Sequence, residues 1–126
     1  MKYILDTHIL IWAFSDTENL SNKVQKILDT EEGIYTSIAS LWEIGIKKSI
    51  GKLNVPFSVK ELEEQCLAQN IKILPIKSDC IDKLSELPNI HNDPFDRMII
   101  AQAQSENLTI ITKDSKIKLY DVNLLW

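Results

Sequence analysis

Four carboxylates stand where this chain could use them for chemistry: Asp6 in YILDTH, Glu43 in SIASLWEIGIKKSI, Asp96 in HNDPFDRMIIAQA and Asp114 in LTIITKD. Acids gathered at one place repel one another and raise each other's pKa. A hard dication such as Mg²⁺ relieves that repulsion, because it favours carboxylate oxygens and keeps part of its water. Such a site suits phosphodiester hydrolysis, in which the cation activates water and steadies charge on the reacting phosphoryl group. The sequence offers no Gly-rich loop, GKS/T motif or Ser-His-Asp ordering as a competing chemistry.

Each acid also has a plainer use. In D-P-F-D, Asp93 reads as a helix N-cap, Pro94 as the first helical residue and Asp96 as a first-turn carboxylate favoured by the helix dipole. Asp6 could simply end a strand, although a carboxylate between Leu5 and the apolar run ILIWAF suits that purpose poorly. Asp114 fits an ordinary turn in TKDSK. Glu43 shares a helix side with Ala39, Ile46 and Ile50, where an ionised group is costly unless paired. Lys47 or Lys48 would pair with it; a shared divalent cation is the other solution.

The elements that must position these acids follow from pattern. Tyr3-Ile4-Leu5 is a strand ending at Asp6, and His8 falls on a first helical turn. An amphipathic helix runs from Ser21 to about Glu32, with Val24, Ile27 and Leu28 as its stripe and Gly33 as its stop. Ile34-Tyr35-Thr36 is a second strand, followed by a helix over about 37–50 with Ser37 as N-cap and Gly51 as C-cap. Another helix starts near Ser58 and carries Val59, Leu62, Cys66 and Leu67. Ile71–Ile76 is a β-branched strand whose Pro75 places it near a sheet edge. Helices over 78–87 and 94–107 follow, then the strand Leu108–Thr112 and a short last strand at Asn123-Leu124-Leu125. Strands alternating with helices predict an α/β sandwich around a mostly parallel sheet. Ligands in such folds lie beyond the carboxyl ends of the strands, where Asp6 and Asp114 fall.

Composition bounds the reading without deciding it. The 126 residues, 44% hydrophobic and 25% charged, fit one ordinary soluble domain spanning 1–126. No apolar run approaches the ~20 residues that cross a bilayer, so no membrane association is expected. The start of the chain lacks the small-residue cleavage pattern of a signal peptide. Cys66 and Cys80 lack CxxC spacing and read as core thiols of a reduced, cytoplasmic protein. The net charge of −4, from 18 acidic and 14 basic residues, argues against a nucleic-acid binder on its face. Four acids gathered around a metal would account for that whole deficit.

The segments LDTHILIWAF, SIASLWEIGIKKSIGKL, LPNIHNDPFDRMIIAQA and LTIITKD, in this order and spacing, resemble a PIN-domain protein, and most of all the VapC-like toxins of bacterial type II toxin–antitoxin pairs. The resemblance runs along essentially the whole chain. It implies a three-layer α/β/α sandwich of about five strands in the order 3-2-1-4-5. It also implies a Mg²⁺- or Mn²⁺-dependent endoribonuclease acting on structured RNA such as transfer RNA, silenced by a cognate antitoxin and assembled as a homodimer. Carried over by position, the family's acids are Asp6, Glu43, Asp96 and Asp114. The resemblance then has Asp6, Asp96 and Asp114 holding the cation directly or through water, with Glu43 placing a water or a second cation. All four positions keep an acid, which disfavours an inactive binding scaffold. A phospho-receiver would need an acid pair after the first strand, and a dehalogenase-type phosphatase a DxD pair; neither stands here.

Secondary residues carry weaker expectations. Thr7, Ser37 and Thr112 lie where they could bond the acids, or merely cap helices and end strands. Histidine in general titrates near neutrality, which invites a general-base role for His8 or His91, but His91 reads best as a loop residue flanking the site. Arg97 would contact phosphate or pair with Asp96. Lys47, Lys48 and Lys52 form a basic group suited equally to RNA backbone or to a solvated helix face. Ile9, Leu10, Ile11, Trp12 and Phe14 are denser than one helix face needs, so part of them would serve a dimer or antitoxin surface.

Overall fold

The computed structural model describes residues 2–126. Its centre is a five-stranded sheet in the order β3-β2-β1-β4-β5, formed by β1 (Tyr3–Leu5), β2 (Ile34–Ser37), β3 (Ile71–Leu74), β4 (Thr109–Ile111) and β5 (Leu124–Leu125). Every pairing is parallel, with Tyr3 opposite Ile34 on one side and Thr109 on the other. Helices α1 (Thr7–Ser15), α2 (Asn22–Thr30), α3 (Ile38–Ser49), α4 (Val59–Ala68), α5 (Ser78–Lys83) and α6 (Pro94–Glu106) connect them. The α/β sandwich expected from the sequence pattern and the strand order implied by the resemblance are both found.

The strands are largely apolar because both faces of the sheet are mostly covered, with Lys72 exposed on the edge strand β3. Side chains along β1 alternate between two cores. Tyr3 and Leu5 pack with Ile9, Leu10, Val24, Ile44 and Leu62, while Ile4 packs with Ile99, Ile100, Ile110 and Ile117. Each fully buried Leu or Ile contributes about 1.5–3 kcal/mol relative to exposure, so the three-residue β1 is held chiefly by these two layers. Among the described residues no helix is long and apolar enough to cross a membrane. Cys66 and Cys80 are free and buried, and burial pushes the Cys66 thiol up to about 11.

Local signals fixed most element ends. The Ser21 hydroxyl accepts the Val24 amide at 3.2 Å, and Ser58 and Glu61 exchange reciprocal bonds of 3.0 Å in a capping box. Several boundaries differ from the sequence expectation, among them the end of α2 at Thr30 and not near Glu32. The third strand stops at Leu74, since Pro75 has no amide to continue a ladder, and it does lie at the sheet edge. The helix expected over 78–87 tightens into a 3₁₀ turn at Leu84–Glu86. Ile50, not Gly51, is the C-cap of α3; Gly51 follows it with φ +72°, the conformation glycine supplies there.

Parallel pairing puts all carboxyl ends at one edge. The order reverses between β1 and β4, and a crevice at such a switch point is where ligands bind in open α/β sheets. Asp6 follows β1 directly, and Thr112 and Asp114 follow β4.

Candidate active site

One threonine joins the two sides of the switch point. The Thr112 hydroxyl donates to Asp6 Oδ2 at 2.6 Å and accepts the Asp114 backbone amide at 3.0 Å. The other Asp6 oxygen accepts the His8 amide at 3.3 Å, which makes Asp6 the N-cap of α1. Asp6 is thus buried and locked by both of its oxygens.

The α6 side of the site is set by its cap. Asp93 Oδ1 accepts the Phe95 and Asp96 amides at 2.8 and 3.1 Å, Pro94 takes the first helical position, and Asp96 sits in the first turn. His91 lies between the carboxylates. Its Nε2 is 3.0 Å from Asp96 Oδ2 and 2.8 Å from Asp114 Oδ2, and donor atoms of these three residues lie within 4.8 Å of one another. The remaining Asp114 oxygen accepts the Lys116 amide at 2.8 Å.

Glu43 is buried on α3. Its Oε2 meets Lys47 Nζ at 2.6 Å, whereas Oε1 is buried without a partner. The electrostatics report a crowded set of acids. Burial first, then the charges of Asp6, Asp93, Glu43 and Asp114, push Asp96 up to about 8. Burial raises Asp6 as well, against the opposing bond from Thr112, and Asp114 adds to the rise. Asp114 is held below the usual carboxylate range: burial raises it, but the bonds from the Lys116 amide and His91 outweigh that. Lys47 is raised chiefly by its bond to Glu43, with further contributions from Asp93 and Asp96.

Residues 3–123 match the family model of the PIN domain. The chain belongs to the PIN domain family. Ribonuclease VapC22 of Mycobacterium tuberculosis is 22% identical over 116 residues, spanning 91% of this chain and 88% of that protein. Similar solved structures include VapBC2 from Rickettsia felis bound to a promoter DNA fragment, with a TM-score of 0.73, 21% identity and coverage of 99% of this chain and 98% of that one. DNA-bound VapBC from Salmonella typhimurium gives 0.73 at 16% identity, covering 99% and 97%. VapBC-1 from nontypeable Haemophilus influenzae gives 0.70 at 20% identity, again covering 99% and 97%.

Within this PIN fold, Asp6, Asp96 and Asp114 come together at the carboxyl edge of the sheet, and Glu43 bears on Asp96 from α3. Of the three hydroxyl residues, Thr112 bonds an acid. Ser37 instead caps α3 through the Ala39 amide at 3.0 Å, and Thr7 donates to Ser40 Oγ at 2.9 Å, tying α1 to α3. His8 is largely exposed, with Nδ1 3.9 Å from Asp6.

Two expectations are corrected. Arg97 does not pair with Asp96. Its guanidinium turns back onto the carbonyls of Pro88 and Leu84, both at 2.9 Å, and onto the Tyr120 hydroxyl at 3.3 Å, because the loop before α6 leaves carbonyls that need a donor. The basic group also divides. Lys47 is engaged by Glu43, and Lys48 donates to the Phe57 and Val55 carbonyls, closing the loop after α3; only Lys52 keeps an exposed position at that loop. His91 is the residue that sequence reasoning undervalued. The available signal was its place two residues before the Asp93 cap, which fixes it close to the Asp96 turn.

The donors present fit a hard divalent cation. Carboxylate oxygens dominate the set, Glu43 Oε1 is buried and unsatisfied, and burial together with the neighbouring acids raises Asp96 to about 8.

Proposed function

We propose that this chain, as one PIN domain over 1–126, is a Mg²⁺- or Mn²⁺-dependent endoribonuclease and the toxin of a toxin–antitoxin pair acting in the cytoplasm. The observation that carries the reading is the convergence of Asp6, Asp96 and Asp114 at the sheet's switch point, where burial first and then the neighbouring acids raise Asp96 to about 8. A bound divalent cation lowers the pKa of its water and offsets charge building on the phosphoryl oxygens. Asp6, Asp96 and Asp114 would hold it, and Glu43 Oε1 would accept from a water beside it. Thr112 keeps Asp6 and the Asp114 backbone in fixed relation, so the carboxylates meet their ligand without rearranging. Lys52, exposed at the loop after α3, is suited to a phosphate of the RNA backbone.

Support for partners comes from the surface and from the relatives. Ile38, Trp42, Ile46 and Ile50 repeat every fourth residue of α3 and its cap, all exposed, with Trp42 at 63%. Such an apolar stripe marks an interaction surface, and it suits an antitoxin segment or a second copy of this chain. One similar solved structure, from Klebsiella pneumoniae, is described as a toxin–antitoxin complex, and the curated relative is a ribonuclease by name. Structured RNA such as transfer RNA is the substrate class we assign.

Purified protein incubated with transfer RNA should cleave it when Mg²⁺ or Mn²⁺ is added and not in EDTA. Asp6→Asn and Asp96→Asn should each lower the rate by at least about 100-fold, the scale of losing one electrostatic stabiliser of the transition state. Full metal-dependent cleavage by both variants would sink the site assignment. Growth arrest on expression, relieved by a co-expressed neighbouring small protein, tests the toxin role separately.

A further inference from the structure

We propose that His91 serves this site as a fixed N–H donor and not as a metal ligand, its Nε2–H holding Asp114 in place beside Asp96. This role presupposes the metal-dependent nuclease proposed above. A histidine and two aspartates with donor atoms within 4.8 Å of one another would ordinarily suggest an imidazole ligand. Hydrogen bonding at the far side of the ring argues otherwise.

A neutral imidazole carries one N–H and one lone pair. The Asp93 backbone amide donates to His91 Nδ1 at 3.2 Å, and that bond uses the lone pair. The proton therefore sits on Nε2, and the 2.8 Å bond to Asp114 Oδ2 is a donation, with Asp96 Oδ2 lying 3.0 Å from the same nitrogen. Ligation through Nε2 would need either an anionic ring or a broken Asp93 bond. Asp93 is poorly placed to yield, since its side chain also caps α6 through the Phe95 and Asp96 amides. One residue thus sets both the tautomer of His91 and the first turn that carries Asp96.

The backbone of His91 is held as firmly as its ring. Its amide donates to the Tyr120 hydroxyl at 2.8 Å, and that hydroxyl donates to the Pro88 carbonyl at 2.9 Å. Arg97 reaches the same hydroxyl at 3.3 Å and the His91 carbonyl at 3.5 Å. Arg97 and Tyr120 are accordingly positioning residues that act through His91. With the imidazole confined to donation, the cation meets oxygen ligands only, a set that favours Mg²⁺ or Mn²⁺ over Zn²⁺. Donors that orient carboxylate ligands in this way typically carry 10–100-fold in metal affinity.

Two measurements test this assignment. Imidazole ¹⁵N shifts of the metal-free protein should show His91 protonated at Nε2 and bare at Nδ1, with the exposed His8 as internal reference, and Nε2 should keep its proton when Mg²⁺ is added. An Nδ1–H tautomer, or loss of the Nε2 proton on adding Mg²⁺, would overturn the assignment. Mg²⁺ affinity measured by calorimetry should fall about 10–100-fold in His91→Ala and stay within a few-fold of wild type in His91→Gln, whose amide still donates. Thermal unfolding checks that both variants are folded. A His91→Gln loss as large as that of His91→Ala marks a ligand and refutes the donor role. If the wild-type chain binds neither Mg²⁺ nor Mn²⁺, the metal-nuclease reading and the purpose given to His91 fall together, while the ¹⁵N result still decides the tautomer.

Discussion

Replacing Asp96 by asparagine should stabilise the metal-free protein, although Asp96 is assigned to catalysis. In the folded chain Asp96 is pushed up to about 8, against an ordinary aspartate value of 3.8. Between those pH values the unfolded chain has released a proton that the native state retains, so the native state binds more protons and stability falls as pH rises. Each unit corresponds to about 1.36 kcal/mol, and the span of about three units up to pH 7 gives a cost of about 4 kcal/mol. The Asp96 side chain keeps some contact with water, which screens the repulsion, so about 2 kcal/mol is the figure to carry forward. Asparagine removes the titration and keeps an oxygen for the His91 donor. In EDTA at pH 7.5, Asp96→Asn should therefore melt higher than wild type, on the order of 5–10 °C for a chain of this size. The gap should shrink as pH falls towards 4, where the unfolded wild type is protonated too. Mg²⁺ should raise the wild-type melting temperature and leave that of the variant nearly unmoved. A variant that melts below wild type in EDTA at pH 7.5, or a gap that ignores pH between 4 and 8, would refute the reasoning.

Asp93→Asn should leave stability unchanged, because asparagine caps as well as aspartate, while Asp93→Ala should lose about 1 kcal/mol in urea unfolding. An equal loss in both variants would mean that the charge matters and the cap does not. Tyr120→Phe removes a hydroxyl that accepts from Ile90, His91 and Arg97 and donates to Pro88. It should cost about 1–3 kcal/mol and speed hydrogen exchange of the Ile90 and His91 amides, as read by mass spectrometry.

The legible parts of this protein were those governed by local rules. The start of α6 could be read because Asp93 and Pro94 form a cap and first-turn signature that needs no distant partner. The edge position of β3 could be read because Pro75 lacks an amide for a further ladder bond. The boundaries that slipped are places where tertiary packing chose among near-equal local options, as at Leu84–Glu86, where α5 tightens into a 3₁₀ turn. Arg97 was misjudged because an arginine beside an acid suggests an ion pair. Its actual acceptors, the carbonyls of Leu84 and Pro88, face it only after the loop has folded back over α6.

The order and spacing of its acids, caps and apolar runs determined by themselves an α/β chain with carboxylates at strand ends, since periodicity and capping act over a few residues. Only the tertiary structure decided how those carboxylates meet. Asp6 and Thr112 are 106 positions apart in sequence, and Asp114 and His91 are 23 apart. The Asp6–Thr112 bond exists because parallel pairing of β1 with β4 brings two strand ends to one edge. The role of His91 depends on a single amide at its far nitrogen. A hydrogen bond across three dimensions fixes which ring atom holds the proton, and residue type alone leaves both tautomers open.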